Sequence, residues 1–378
     1  MTLPHLLYEE LPMACDRGAG WAALRDAGPV VTGDGWYYLT RREDVLAALR
    51  DHEVFSSQRA FDGMISPVPL IPLALDPPEH TRFRRILHPF FSPPTLSALL
   101  PSLQRQAADI IATVARGREC EVMTDLATPY PSQVFLTLFG LPLGDRERLI
   151  AWKDVIIGFS LEAEPDSADV AAAAEMFQYL AAAVDSHRQH PGDDILSHLL
   201  TGDDPLTDDE ALGLAVVLVL AGLDTVTAAI GAALAQLAQD GHLQQRLREK
   251  PNLIAGFVEE VLRLEPPAPV VGRMTTAPVT VAGVTIPAGS QVRLCVGAVG
   301  REDGDAWNID GKLHRHWGFG GGVHRCLGSH LARMEMTLVI TEWLRLVPEF
   351  RLAPGFRPEV RWPSATLCLP TLPLVLGP

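Results

Sequence analysis

Trp317-Gly318-Phe319-Gly320-Gly321-Gly322-Val323-His324-Arg325-Cys326-Leu327-Gly328 is the stretch whose reading organises the rest of this 378-residue chain. Three consecutive glycines open backbone conformations closed to other residues and let the chain approach a flat partner closely. Cys326 stands where a helical pattern begins at 327, so free amides and the positive end of that helix favour a thiolate. Arg325 and His324 push the same way. Such a thiolate serves as a nucleophile or as a metal ligand. A nucleophile calls for a base and an orienting carboxamide; His324 is near, but no supporting group can be named. Zinc calls for three more ligands at tight spacing, and the chain has no Cys-x-x-Cys. A lone cysteine under a glycine-lined surface better suits the axial position of haem iron. The plain alternative is a glycine-rich helix start with an inert cysteine.

Outward from that loop, composition narrows the class. Hydrophobic residues make up 47% and charged residues 20%, enough apolar surface to fold and too little charge for a disordered chain. The formal charge of −15 makes the molecule a poor counterion for nucleic acid or an anionic membrane. Five cysteines, at 15, 120, 295, 326 and 368, are too scattered for a disulfide framework and fit a reducing compartment. The first residues lack the basic start and apolar run of a signal peptide. The longest apolar stretch, 211–223, falls short of the roughly 20 residues that span a bilayer. A cytoplasmic protein without a membrane span is the expectation.

The pattern is helix after helix. Apolar residues recur at three- and four-residue spacing over 94–116, 145–160, 166–190, 207–240, 251–264 and 327–346. Thr207 with Glu210 reads as a capping box, Gly241 as the stop of the long helix, and Pro266-Pro267 as the stop of another. Strands are few: 36–39, followed by a helical 42–50, a pair folded around Ala282-Gly283 within 279–286, and 291–299. The prediction is a mainly α protein with small β-sheets, residues 1–378 forming a single domain. Segment 51–76 breaks the pattern. Its apolar, proline-punctuated 66–73 reads either as a lid over a binding site or as a buried connector.

The order Phe319, Gly322, His324, Cys326, Gly328, each at its spacing, resembles the haem-binding signature of the cytochrome P-450 monooxygenases, bacterial members in particular. The resemblance spans Trp36 to the C-terminus. It implies the fold of that family, a long central helix over a haem and a Cys-ligand loop, with haem b (iron protoporphyrin IX) held by the Cys326 thiolate. Phe319, Gly320 and Gly328 would line the cofactor. His80 and Arg84, four apart on one helical face, match the family's propionate-binding pair; standing alone they would read as a solvated basic face. Arg273 aligns with a further propionate arginine, and His324 takes the last such position.

Segment Ala221-Gly222-Leu223-Asp224-Thr225 falls inside the long apolar helix, about 50 Å at 1.5 Å per residue. A buried carboxylate and hydroxyl need partners. One reading bonds the threonine back to the preceding turn and pairs the aspartate with a distant arginine. The other, implied by the resemblance, makes Asp224 and Thr225 the catalytic pair that brings protons to iron-bound dioxygen, with Ala221 and Gly222 against the haem. Glu260 and Arg263, three apart, look like the family's structural Glu-x-x-Arg pair. One departure stands out. Between 301 and 316 the family has a longer meander carrying an arginine that joins this pair; here it is short, so either the meander is trimmed, Lys312 or Arg315 substitutes, or residues are absent, and the third partner stays unassigned.

The implied reaction inserts one oxygen atom of O2 into a C–H or double bond and reduces the other to water. No Gly-x-Gly-x-x-Gly follows a strand, so electrons must come from a separate protein. Residues 312–333 carry Lys312, Arg315, Arg325, Arg333 and four histidines with no acid. With Arg82 and Arg85 they suggest a basic face for an acidic ferredoxin. Candidate pocket segments 61–73, 219–225, 269–271 and 364–367 are mostly apolar, which favours a small hydrophobic substrate such as a lipid, steroid, terpene or polyketide, with a small aromatic as runner-up. The competing classes are a haem sensor of the same fold and a cysteine-nucleophile hydrolase.

Overall fold

Thr207 and Glu210 satisfy each other reciprocally at the start of the longest helix: the Glu210 amide donates to Thr207 Oγ1 (3.2 Å) and the Thr207 amide to Glu210 Oε2 (2.9 Å). That capping box launches one of thirteen α-helices found among the described residues, 3–61, 68–159 and 167–377 of a computed structural model. In chain order these are α1 Arg17–Ala27, α2 Arg42–Arg50, α3 Glu79–Leu87, α4 Pro93–Val114, α5 Pro129–Leu138, α6 Arg146–Phe159, α7 Ser167–Gln189, α8 Ile195–Thr201, α9 Asp208–Gln239, α10 Gly241–Glu249, α11 Ile254–Leu264, α12 Val296–Gly300 and α13 Ser329–Leu346. The strands are β1 Val30–Gly33, β2 Trp36–Leu39, β3 Phe55–Ser56, β4 Glu119–Glu121, β5 Val271–Thr275, β6 Val279–Val281, β7 Val284–Ile286, β8 Gln291–Leu294, β9 Phe350–Leu352 and β10 Pro373–Leu376.

Helix α9 runs through the main hydrophobic cluster, buried on nearly every side against α5, α7, α11 and α13. It is the one helix among the described residues long and apolar enough to cross a membrane, contrary to the expectation from the 13-residue run. Its burial explains that composition: 67% of its apolar window lies inside the protein. Asp240 ends it and at once caps α10, its carboxylate accepting from the Leu243 amide (2.9 Å). Gly241 therefore follows α9, as its position in the sequence suggests, and also opens α10.

The larger sheet has the order β1-β2-β8-β5-β3, with β2 and β8 parallel and the other pairs antiparallel. The β6–β7 hairpin turns at Ala282 (φ 48°) and Gly283 (φ 80°), where the sequence places it. Segment 291–299 is not one strand. It leaves the sheet at Cys295, and Val296–Gly300 coils so that Gly297 lies against the Trp21 ring, where a Cβ would come within 2.7 Å. A short run buried on all sides has no period that separates strand from helix. Of the lid-or-connector stretch, 62–67 lies outside the described residues. Its following part packs inward: Ile71 is buried, and the Pro69 carbonyl lies against Gly213 of α9, where no Cβ would fit.

Candidate functional site

The cysteine loop is shaped by its glycines. Gly320 and Gly322 hold positive φ (67° and 64°), and a Cβ on Gly322 would overlap the Leu49 carbonyl of α2. The loop closes on itself through the Cys326 amide, which donates to the Phe319 carbonyl (2.9 Å). Helix α13 starts at Ser329 with Gly328 as its cap, three residues after the cysteine. Cys326 is exposed, but into a recess: one side is open while protein surrounds the rest. Burial therefore pushes its thiol up, against the Gly328 amide and the charges of Arg84, Arg325 and Arg333, which pull it down. The Gly328 amide and the cations pull toward the thiolate that the sequence suggests, and a coordinated metal cation would add to them.

His80, Arg84, Arg273 and His324 come together around this recess. The two imidazoles lie 4.1 Å apart between centroids, and neither His80 Nδ1 nor His324 Nε2 has a hydrogen-bond partner among the described residues. His80 and Arg273 are buried, and Arg84 is half-buried with no ion pair among those residues. Among the described residues the one nearby acid is Asp76, 3.8 Å from His324 and already accepting from Ser56 Oγ and the Ser57 amide. Burial, then the Arg84 charge, pushes His80 down to about 4; burial, then Arg273, pushes His324 down to about 3; burial brings Arg273 down to about 10. This is a cationic nest short of anions.

In α9, Ala221 and Gly222 are exposed in the middle of a helix otherwise buried, and a Cβ on Gly222 would meet nothing within 4 Å. A Cβ on Gly272, Gly320 or Gly328 would likewise meet nothing within 4 Å. Thr225 Oγ1 donates to the Ala221 carbonyl (2.8 Å), the back-bonded arrangement. Asp224 pairs not with an arginine but with Lys153 of α6 (3.4 Å), whose ammonium also meets the exposed Asp154 (2.6 Å). Lys153 and Asp154 went unmarked in the sequence, where they lie 71 and 70 positions away among ordinary helix residues.

Glu260 and Arg263 are wholly buried and fully satisfied. Two N–H groups of Arg263 bind Glu260 (2.8 Å each), and the others reach the carbonyls of Gly300 (2.8 Å), Gly304 (2.7 Å) and Ala306 (2.8 Å). Glu260 also accepts from the Asn308 amide (2.9 Å). Neither Lys312 nor Arg315 donates to Glu260; the Asn308 backbone amide does so in place of the missing arginine, while carbonyls of the shortened segment accept the remaining Arg263 N–H groups. The basic face is also smaller than the sequence suggests. Arg82 is paired with Asp204 (3.0 Å) and Glu210 (2.6 Å), Arg85 with Asp204 (3.1 Å), and Arg333 with Glu259. Arg50, Arg315 and Arg325, without a carboxylate partner among the described residues, line a cavity of about 360 Å³ between α2 and the cysteine loop.

A family model described as Cytochrome P450 matches residues 38–373. The vitamin D(3) 25-hydroxylase of Pseudonocardia autotrophica is 33% identical, covering 95% of this chain and 93% of its own. Among solved structures, ligand-free cytochrome P450 TbtJ1 superposes with a TM-score of 0.88 at 32% identity, covering 97% and 100%. A mutant of P450 EryK in complex with erythromycin B gives 0.85 at 29%, covering 95% of each chain.

Proposed function

The chain belongs to the cytochrome P450 family and is an oxidoreductase of the monooxygenase type, and from that premise we propose that it inserts one oxygen atom of O2 into a small hydrophobic molecule, with haem b held by Cys326 and electrons delivered by a ferredoxin. Haem with a cysteine thiolate, a substrate, O2 and a redox partner come with the family. The observation that carries the assignment to these residues is the nest of His80, Arg84, Arg273 and His324 beside an exposed thiol. Among the described residues, two imidazole nitrogens without a hydrogen-bond partner and two guanidinium groups without an ion pair ask for carboxylates, and haem brings two propionates. Glycines at 222, 272, 320 and 328, each facing open space, suit a flat group.

When bound, haem would be held by the Cys326 thiolate and would supply dioxygen activation. The protein's part is to orient and to move protons. Thr225 Oγ1, released from the Ala221 carbonyl, holds a water at the exposed face of α9. Asp224 Oδ1 passes protons to that water and recovers them through Lys153 Nζ from Asp154, whose carboxylate is in solvent. The apolar residues beside Ala221 and Gly222 exclude bulk water. The substrates in the names of two relatives, vitamin D(3) and erythromycin B, are in keeping with a lipid, steroid, terpene or polyketide rather than a small aromatic. Arg50, Arg315 and Arg325 dock the ferredoxin, in a cytoplasmic protein whose residues 1–378 act as one domain.

The deciding measurement is the spectrum of the reduced, carbon-monoxide-bound protein, expected to show the red-shifted Soret band of thiolate-ligated haem. Colourless protein after haem-supplemented expression would sink the reading. Reduction by ferredoxin is expected to slow as salt rises; a salt-independent rate removes the docking face.

A further inference from the structure

Glu259 faces a different set of partners from its neighbour Glu260. Its carboxylate accepts from Arg333 Nε (2.5 Å) and Nη2 (2.9 Å) and from His316 Nε2 (3.0 Å). His316 Nδ1 in turn accepts from the Gly318 amide (3.2 Å), which fixes the tautomer that donates to Glu259. Arg333 Nη1 binds the Ser329 carbonyl (3.2 Å), and its guanidinium lies 4.5 Å over the Phe319 ring. The His316 ring is tilted 6.0 Å from the same ring. The Phe319 carbonyl holds the Cys326 amide. One carboxylate on α11 thus ties the residue entering the cysteine loop to a residue on the helix leaving it. Both close on the ring whose own backbone holds the cysteine. Burial alone would raise the Glu259 carboxyl, but Arg333 and His316 outweigh it and hold it down at about 2.

We propose that Glu259, His316 and Arg333 are positioning residues that lock Phe319 against the cysteine loop and set how strongly Cys326 donates to the haem iron, an inference that rests on the haem-thiolate reading above. The clamp differs from plain scaffolding in carrying charge of both signs close to the ligand loop. Removing its acid leaves a cation that favours the reduced, more electron-rich centre; removing its guanidinium leaves an anion that disfavours it.

The test is redox titration of the holoenzymes, with the carbon-monoxide spectrum recorded beside it, for wild type, Glu259→Gln, Arg333→Gln and Arg333→Lys. Glu259→Gln is expected to raise the ferrous-to-ferric ratio at fixed poise on the order of tenfold, about 59 mV for one electron, and Arg333→Gln to lower it comparably. Arg333→Lys keeps the charge but loses the planar fork. It is expected to move the ratio less than threefold while its thiolate band decays faster than wild type. Shifts in the same direction for the two glutamine variants, or no shift, overturn the proposal. If Arg333→Gln fails to load haem, the pair Glu259→Gln and Arg333→Lys decides, and equal shifts in both overturn it. A wild type without the red-shifted band defeats the haem-thiolate reading; a wild type with it and unmoved variants defeats the clamp alone.

Discussion

Arg263 and Arg273 lie ten positions apart in the sequence, both all but excluded from water, and in opposite electrical states. Arg263 spends every N–H on an acceptor: two on Glu260 and three on backbone carbonyls of 300–306. Arg273 makes one hydrogen bond, to the carbonyl of the preceding Gly272, and no ion pair among the described residues. His80 and His324 beside it share with it the one nearby acid among the described residues, Asp76. A buried charge without a partner costs several kcal/mol unless something else supplies the counter-charge. The first cluster is complete within the protein and belongs to the fold. The second is short of anions among the described residues, and on the proposed function an anionic ligand completes it. Burial alone does not distinguish them; the accounting of donors and acceptors does.

The largest expected effect breaks the complete cluster. Arg263→Ala strands a buried Glu260 carboxylate and three carbonyls, and is expected to destabilise the protein by about 3–5 kcal/mol, measured by denaturant unfolding of the haem-free protein. Haem added in excess should not restore the fold. A loss below about 1 kcal/mol would mean that water replaces the guanidinium and that the cluster is not the closed unit described here.

The incomplete cluster is expected to answer in the opposite sense. Arg273→Ala removes a cation with no carboxylate partner, so the haem-free protein should unfold at an unchanged or slightly higher denaturant concentration. The holoenzyme should lose haem to a scavenging apoprotein roughly tenfold to a hundredfold faster, the equivalent of about 1.5–3 kcal/mol for a hydrogen bond to a charged group. Destabilisation of the haem-free protein comparable to that of Arg263→Ala would erase the distinction between the two arginines.

The same contrast governs what could be read from the sequence. Locally coded features were legible: the Thr207–Glu210 capping box, the turn at Ala282-Gly283, the glycines around Cys326 and the spacing of His80 from Arg84. Each lies within a few residues and obeys a fixed geometry. Features closed across the chain were not. Asp224 meets Lys153 from 71 positions away, and Arg82 meets Asp204 from 122, so neither the wrong partner for Asp224 nor the overcounted basic face had a local signal against it. The stand-in for the missing meander arginine is backbone, which carries no side-chain signature at all. Helix α5 lies outside the periodic segments of the sequence; Pro129 and Pro131 sit in its first turn, where a missing N–H costs nothing. Glu259 was passed over because its neighbour fits a known pair and it does not. Only the fold shows the two glutamates holding different halves of the same support.

The smallest expected effect is a change of slope with pH, and it sharpens the comparison without removing any residue. His80 and His324, held down at about 4 and 3, are neutral in the folded protein, whereas in the unfolded chain they protonate near 6.5. Between roughly pH 6.5 and 4 the unfolded state therefore binds more protons, and stability falls as pH falls through that window. Arg84 and Arg273 deepen the effect, because each extra imidazolium would join an existing cation. Haem propionates reverse the local field and favour the protonated rings, so the holoenzyme should show a flatter profile over the same window. Urea unfolding of haem-free and haem-loaded protein at half-unit steps from pH 7 to 4.5 measures both slopes. Parallel profiles would mean that the anions completing the nest are not those of the haem.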